Sequence, residues 1–272
     1  MVHPTAADGG QSGVESRSEP RYRRLRRWNA AMGGLHLVQA LLMVWLAEPV
    51  RWPIRITRFG VDAAAGRIAP VAVPWADVNL PLLVAGFLFL SALAHATIAT
   101  VRYEQYVSYL ERGMNPYRWY EYAVSASLMI VVIAMLAGVW DLGTLIALFG
   151  LVAVMNLCGL LMEQRNETTA TTDWAPYYVG ALAGLVPWVV IGVSLAGSVT
   201  AAGADVPDFV LYIYVSLFLF FNLFAANMVL QYWGVWRWED SLFGERAYVV
   251  LSLVAKSLLA WQVFFGALNT PI

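Results

Sequence analysis

The chain has 272 residues, of which 60% are hydrophobic and 13% charged, whereas about 25% are charged in a typical soluble domain. This composition argues against a water-soluble globular protein, and a net charge of −1 offers no basic field for nucleic acid. The single cysteine, Cys158, excludes a disulfide framework and a cysteine-rich metal site. All 17 basic residues except Lys256 are arginine, so this one lysine needs an explanation of its own.

Residues 1–20 are polar, rich in Gly, Ser and Ala, and without apolar periodicity, which predicts a disordered tail. Residues 21–272 are predicted to form one all-α membrane domain, because seven apolar segments each hold about the 20 residues that a membrane-spanning helix needs. The first is too long for a secretory signal and is expected to be retained. The seven spans are predicted at residues 28–47, 79–101, 117–139, 143–162, 176–198, 209–234 and 246–268.

The distribution of arginine predicts how the bundle sits in the cell membrane. With the N-terminus inside, the tail and the cytoplasmic loops hold twelve arginines, and the first outer loop holds four. An odd number of spans places the two termini on opposite sides. We therefore expect a cytoplasmic N-terminus and an extracellular C-terminus.

One connection between spans is long, at residues 48–77. Apolar and polar side chains alternate in Arg51–Arg58 before Gly60, and alternation returns in Val71–Val73 after Gly66. Period-two alternation next to glycines predicts a β-hairpin on the outer face. An ordered loop without a function and a role in subunit contact both remain open.

Four ionisable residues lie within the spans: His36, His95, Glu121 and Lys256. Each Lys, Arg or Asp at the centre of a membrane helix costs about 2.5–3.5 kcal/mol, so such residues are functional candidates. At the rise of an α-helix, all four lie roughly 6–15 Å from the cytoplasmic end, which predicts one shared polar cavity. For each histidine, a structural bridge between helices remains open, and Glu163 is interpreted as a helix-end residue that snorkels to the interface.

Lys256 has the properties of a reactive amine. Removal from water favours the neutral, nucleophilic form, which is the chemistry of lysines that form Schiff bases with aldehydes. A protonated Schiff base is a buried cation that needs an anion, and Glu121 is the only carboxylate well inside a span. A structural ion pair between the two residues is the alternative.

Seven helices with such a lysine in the last one resemble the microbial rhodopsins, which bind all-trans retinal. In the pumping members, the third helix carries an acidic counterion, a hydroxyl one turn on and an acidic proton donor, and an aspartate stands one turn before the lysine. Here Glu121 is followed by Ser125 and then Val132, and Ser252 precedes Lys256 by one turn. The donor and the second acidic counterion of a pump are therefore missing.

The combination of features is similar to the heliorhodopsins over about residues 22–270. It comprises the inverted topology, the long first outer loop, the serine before the lysine, the intramembrane histidines and the single glutamate in Arg118-Trp119-Tyr120-Glu121-Tyr122. The resemblance implies that Lys256 is the attachment site of all-trans retinal and that Glu121 is its sole counterion.

The same resemblance implies that His36 and His95 belong to a cytoplasm-side cavity that accepts the proton transiently. Hydroxyl groups one helical turn from the ionisable residues can face this cavity, and they belong to Ser91, Ser125 and Ser252. The last of these could hydrogen-bond the Schiff base or a nearby water.

Aromatic residues are candidates for the chromophore pocket, with core packing as the alternative. The candidates are Trp188 on the fifth span, Phe218 and Phe221 on the sixth, and Tyr122 beside the counterion. The small-xxx-small spacing of Gly180–Gly184 allows close approach of a second helix. The resemblance implies a homodimer, with which this spacing agrees.

The function that the resemblance favours is a non-pumping, light-sensing photoreceptor, not an enzyme, that signals to or regulates an unknown partner. The first alternative is a light-driven ion pump or light-gated proton channel, although the missing acidic groups argue against a pump. The second is a retinal-free membrane enzyme or carrier in which Lys256 and Glu121 act directly. Apart from retinal, membrane lipid and a second copy are the expected partners, and nucleic acid is not expected.

Overall fold

The computed structural model describes residues 9–62, 64, 66–200 and 206–268, with side chains from residue 20 onward. Seven helices in the described part are long and apolar enough to cross a membrane, which confirms the predicted spans and makes the chain a multi-pass membrane protein. The helices are α1 (Gly9–Leu46), α2 (Leu80–Ala99), α3 (Tyr103–Glu111), α4 (Pro116–Leu136), α5 (Leu142–Asn166), α6 (Ala175–Thr200), α7 (Asp208–Trp233) and α8 (Ser241–Val263).

Two helices differ from the expectation. Helix α1 continues back to Gly9, so part of the segment 1–20 that is predicted as a disordered tail is helical, and residues 1–8 lie outside the described residues. The short helix α3 is not among the predicted elements. It buries Tyr106 and Leu110, one turn apart, and its nine residues are too few for a distinct apolar period in the sequence.

Capping side chains fix where the helices begin. Asn79, Asn115 and Asp141 accept hydrogen bonds of 3.2, 3.1 and 2.9 Å from the backbone N–H three residues on, at the starts of α2, α4 and α5. Asp240 likewise accepts from the N–H of the second residue of α8 at 3.1 Å. Gly234 follows the last residue of α7 as its C-cap, and its φ of 59° is left-handed and suits glycine.

The connection between α1 and α2 forms the predicted β-hairpin, in which β1 (Arg51–Asp62) pairs antiparallel with β2 (Arg67–Asn79). Ile54 pairs with Ala76 and Arg55 pairs with Pro74, so Trp75 is an extra residue of β2 and the register shifts at this bulge. The N–H of Arg55 donates to the carbonyl of Trp140 at 2.9 Å, and the guanidinium carbon lies 5.6 Å from that indole ring. These contacts dock the hairpin on the α4–α5 connection, at what we call the hairpin end of the bundle.

The buried core is divided along the bundle. Fully buried apolar side chains such as Met43 and Ile133 fill the turns toward the hairpin end. Buried charged side chains lie on turns toward the opposite end, among them Arg118, Glu163 and Glu245. The helices therefore enclose a polar site within one half of an otherwise apolar bundle.

The small-residue spacing on α6 serves packing within the chain. A Cβ atom on Gly180 would lie 2.9 Å from Cβ of Cys158, and one on Gly184 would collide with Sδ of Met155. Both glycines thus allow α6 to approach α5 of the same subunit. The spacing gives no support to the expected homodimer, because the close helix that it accommodates is α5.

Candidate functional site

Lys256 of α8 and Glu121 of α4 face each other inside the bundle. Nζ of Lys256 lies 2.7 Å from Oε1 of Glu121 and 3.0 Å from Oγ of Ser252. The lysine and glutamate side chains are 3% and 9% exposed. A charged amine at this depth needs a close anion. The residues predicted as attachment site and counterion are therefore direct neighbours.

Helical spacing brings the predicted serines to the same place. Ser252 lies one turn before Lys256 on α8, which explains their direct contact. Ser91 of α2 donates to Oε1 of Glu121 at 2.6 Å. Ser125 is fully buried one turn after Glu121 on α4. All three hydroxyl groups thus lie around the lysine and its carboxylate.

The ring of Tyr122 lies beside the lysine. Its ring centroid lies 5.0 Å from Nζ of Lys256, within the range of a cation–π interaction. Its hydroxyl donates to the backbone carbonyl of Tyr248 at 3.1 Å, which links α4 to α8. The hydrogen bond holds the ring in place against the amine.

The two predicted histidines stack on each other. The ring centroids of His36 and His95 lie 5.7 Å apart, with an interplanar angle of 12°. His36 is fully buried, and neither of its ring nitrogens has a hydrogen-bond partner in the described structure. Nδ1 of His95 lies 2.8 Å from Oδ1 of Asn29. His95 lines a small cavity together with Glu121, the direct neighbour of Lys256, so the four predicted ionisable residues lie in one region of the bundle.

The predicted ring-pocket residues also contact each other. Trp188 of α6 lies 5.4 Å from Phe218 and 5.3 Å from Phe221 of α7, measured between ring centroids. Phe221 lines the cavity described next, while Trp188 packs in addition against Tyr214 at 5.7 Å. These aromatic rings therefore contribute to the wall of the cavity and to the core behind it.

A cavity of about 800 Å³ opens beside Lys256, between α4 and the helices α5 to α8. Its surface is overwhelmingly apolar and includes Trp119, Met129, Met155 and Phe224. Apolar clefts with a few polar groups are the usual binding sites of small organic ligands. The amine at its wall suits a long apolar molecule with an aldehyde group.

A family model for heliorhodopsin matches residues 25–268, nearly the whole chain. The chain belongs to the heliorhodopsin family. This match confirms the resemblance described from the sequence, and a comparison with curated proteins gave no match. The family is one of light-sensing rhodopsins, and it implies a retinal chromophore.

The residues around the large cavity of this heliorhodopsin fit retinal. The lining supplies aromatic and methionine side chains for an apolar polyene, and Lys256 supplies an amine for its aldehyde. Gly159 lets Trp119 lie against α5, since a Cβ atom at this position would collide with the indole ring. The cavity is thus shaped by close packing around the lysine.

A buried cluster at the end opposite the hairpin was missed by the sequence analysis. The guanidinium of Arg118 pairs with both Glu163 of α5 and Glu245 of α8, and the three side chains are at most 7% exposed. Asn115 donates its backbone N–H to Glu163 and its side-chain amide to Glu245, each at 2.7 Å. One arginine thus bonds two carboxylates in this heliorhodopsin.

The interpretation of Glu163 as a residue that snorkels to the interface is wrong. Its side chain is 7% exposed because it turns inward to Arg118. A signal for this cluster exists in the sequence, since Arg118 lies three residues before Glu121 and therefore on the same helix face. The partner carboxylates come from other helices and carry no such signal.

A second, smaller cavity joins the cluster to the lysine site. Its lining includes Asn29, His95, Glu121, Arg118 and Glu245. The heliorhodopsin therefore has polar and charged side chains around one small cavity between the counterion position and the end opposite the hairpin.

Proposed function

We propose that this heliorhodopsin is a non-pumping, light-sensing photoreceptor in which Lys256 carries all-trans retinal as a protonated Schiff base. The observation that carries the proposal is the 2.7 Å contact between Nζ of Lys256 and Glu121 at the wall of an apolar cavity of about 800 Å³. No second lysine exists in the chain. Retinal, when bound, supplies light absorption and a light-driven isomerisation next to the lysine nitrogen.

The surrounding side chains have distinct roles in this proposal. Glu121 is the sole counterion, and it is held by Ser91, which donates to the oxygen that faces the lysine. Ser252 and the ring of Tyr122 hold the lysine nitrogen in place. Ser125 contributes a further buried hydroxyl beside the counterion.

Different residues of the site contact the chromophore ring and receive the proton. We assign Phe221 to the ring pocket, with Trp188 and Phe218 supporting it from behind. The stacked His36 and His95 belong to the cavity that receives the proton of the lysine nitrogen after illumination. The proton returns from the same cavity.

The absence of pumping follows from where ionisable groups lie. Among the described residues, the turns of α4 and α8 beyond the lysine, toward the hairpin end, present apolar side chains such as Val132, Leu259 and Val263. Glu121 and the histidines lie on the other side. A pump needs proton-binding groups on both sides of the lysine, so a proton that leaves Lys256 returns from the side it entered.

The remaining parts of the proposal concern the cell. The N-terminus faces the cytoplasm by the arginine distribution, and the chain forms a homodimer that regulates or signals to a partner. Phe59 and Ile68 on the hairpin are 80% and 76% exposed, which favours a role of this surface in subunit contact.

The test is the colour of the purified full-length protein from cells grown with and without all-trans retinal. A visible absorption band that depends on retinal and bleaches with hydroxylamine is expected. A protein that stays colourless would refute the photoreceptor and favour the retinal-free enzyme or carrier. Crosslinked partners from the native host, compared in light and darkness, test the signalling role.

A further inference from the structure

The amide of Asn29 has an orientation that its neighbours determine. Its Nδ2 lies 3.0 Å from the backbone carbonyl of Leu25, which can only accept a hydrogen bond. On the other side, Nδ2 faces the hydroxyl oxygen of Tyr106 at 3.5 Å. The proton of that hydroxyl is used toward Glu245 at 3.1 Å, so its oxygen accepts. Both contacts require nitrogen at this position of the amide.

The hydroxyl of Tyr106 remains protonated and can therefore donate to Glu245. Burial raises the pKa of Tyr106 well above its ordinary value, and the carboxylate of Glu245 acts in the same direction. The phenol is therefore a donor to Glu245 and an acceptor for Asn29 over the whole physiological range of pH. Ionisation of Tyr106 therefore does not change the orientation of the amide.

The tautomer of His95 follows from the amide orientation. Oδ1 of Asn29 faces Nδ1 of His95 at 2.8 Å, and an amide oxygen can only accept. Nδ1 of His95 must therefore carry a hydrogen. In a neutral imidazole the other nitrogen, Nε2, is then the one with a free lone pair.

We propose that Asn29 is a positioning residue that fixes His95 as the Nδ1–H tautomer, so that Nε2 is the atom that accepts the proton of the lysine nitrogen. The second half of this inference rests on the proposed function. The bond between the proton and the nitrogen of Lys256 breaks, and a bond to Nε2 of His95 forms. The lysine nitrogen becomes neutral, and His95 becomes an imidazolium.

The hydrogen bonds that link His95, Asn29, Tyr106 and Glu245 also stabilise that imidazolium. Every donor points the same way, from His95 to Asn29, from Asn29 to Tyr106 and from Tyr106 to Glu245. This series of hydrogen bonds ends at the buried cluster of Arg118, Glu163 and Glu245, which contains two carboxylates and one guanidinium. Positive charge on the ring is therefore oriented toward a region with excess negative charge.

The tautomer is measured by ¹⁵N NMR of the full-length protein, labelled at its three histidines and embedded in lipid, in the dark and without retinal. Signals are assigned with the variants His36→Asn and His95→Asn. We expect a protonated Nδ1 and an unprotonated Nε2 for His95. A dominant Nε2–H tautomer would overturn the inference, whether or not the protein binds retinal.

Variants distinguish whether Asn29 orients His95 or only stabilises the fold. Asn29→Leu removes the acceptor and should mix the two tautomers, while Asn29→Asp keeps an acceptor and should retain the Nδ1–H form. Tyr106→Phe tests the same orientation without a change at Asn29. Asn222 on α7 is the matched control, since it makes the same i−4 bond to a backbone carbonyl but is exposed. Asn222→Leu should leave the His95 signals unchanged.

Illumination of the retinal-loaded variants tests whether Nε2 of His95 accepts the proton. Asn29→Leu should slow deprotonation of the lysine nitrogen about tenfold, the effect of losing one hydrogen bond of ordinary strength, and Asn29→Asp should restore the rate. Unchanged kinetics in Asn29→Leu, together with an altered tautomer, would overturn the role of Nε2. A colourless wild-type protein with the expected tautomer would refute the proposed function and leave the positioning of His95 intact.

Discussion

Lys256 and Glu121 are separated by 135 positions in the chain and by 2.7 Å in the bundle. The same carboxylate oxygen also accepts from Ser91 at 2.6 Å, so helices α2, α4 and α8 meet at one atom. Because this oxygen is shared between an ammonium and a hydroxyl, a change at any of the three residues alters the charge balance at the lysine nitrogen.

Lys256→Ala should give a folded protein that stays colourless with retinal, because no other amine side chain exists to replace it. Visible absorption after reconstitution is the measurement, and helix content by circular dichroism checks the fold. Lys256→Arg keeps a positive charge but forms no Schiff base, so it should be colourless too. Retention of the band in either variant would contradict the attachment site.

Glu121→Gln should shift the visible band to the red and make the colour bleach at a lower pH than in the wild type. The reason is that the buried cation loses its only close anion, so its charged form becomes less favourable. A pH titration of the spectrum measures both effects. Glu104→Gln, at an exposed position on α3, is the control. A native spectrum in Glu121→Gln would mean that another group is the counterion.

Vesicles that contain the retinal-bound protein should show no sustained light-induced pH change, with or without a protonophore. In the proposed function, His36 and His95 lie on one side of the lysine nitrogen, and the described turns of α4 and α8 on the other side present apolar residues. A light-driven proton pump of known activity, measured in the same vesicles, is the positive control. A steady photocurrent or a protonophore-sensitive drift would support the pump or channel instead.

Arg118→Gln should destabilise the protein by about 3–5 kcal/mol, the usual cost of leaving a buried charge without its partner. The double variant with Glu163→Gln should recover part of the loss, because one uncompensated carboxylate is removed. Arg112 is the matched control, since it pairs with Glu167 at 3.3 Å but is 47% exposed, and Arg112→Gln should cost less than about 1 kcal/mol. Unfolding in a denaturing detergent series measures these differences. Equal effects of the two arginine variants would contradict a buried cluster.

Asp141 should make stability depend on acid pH. Hydrogen bonds from the backbone N–H and hydroxyl of Thr144 hold the pKa of Asp141 below its usual range. A carboxylate with a lowered pKa stabilises the folded state above its unfolded value of about 3.9, and this contribution is lost as the pH falls through the folded pKa.

Variants at this cap test whether protonation of Asp141 lowers stability at acid pH. Asp141→Ala should lose about 1 kcal/mol at neutral pH, and Asp141→Asn should keep the cap but reduce the loss of stability between pH 7 and about pH 3. Asp208, in the first turn of α7, where no side chain caps the helix, is the control. An identical pH profile for Asp141→Asn and the wild type would show that the cap is not coupled to protonation.

The spans, the hairpin and the resemblance to the heliorhodopsins could be predicted from the sequence. These features depend on local patterns, since the length of an apolar run and the period of its side chains reflect the backbone geometry of helix and strand. Lys256 and Glu121 could be selected because a charge inside an apolar run is conspicuous wherever it lies in the chain.

Which side chains meet inside the bundle could not be predicted from the sequence. Arg118, Glu163 and Glu245 come from three helices and lie near helix ends, where the sequence alone cannot distinguish a buried ion pair from a residue that reaches the interface. The contact of Asn29 with His95 joins α1 to α2 through one hydrogen bond. Such contacts depend on the rotation of each helix about its axis, and packing against the neighbouring helices sets that rotation.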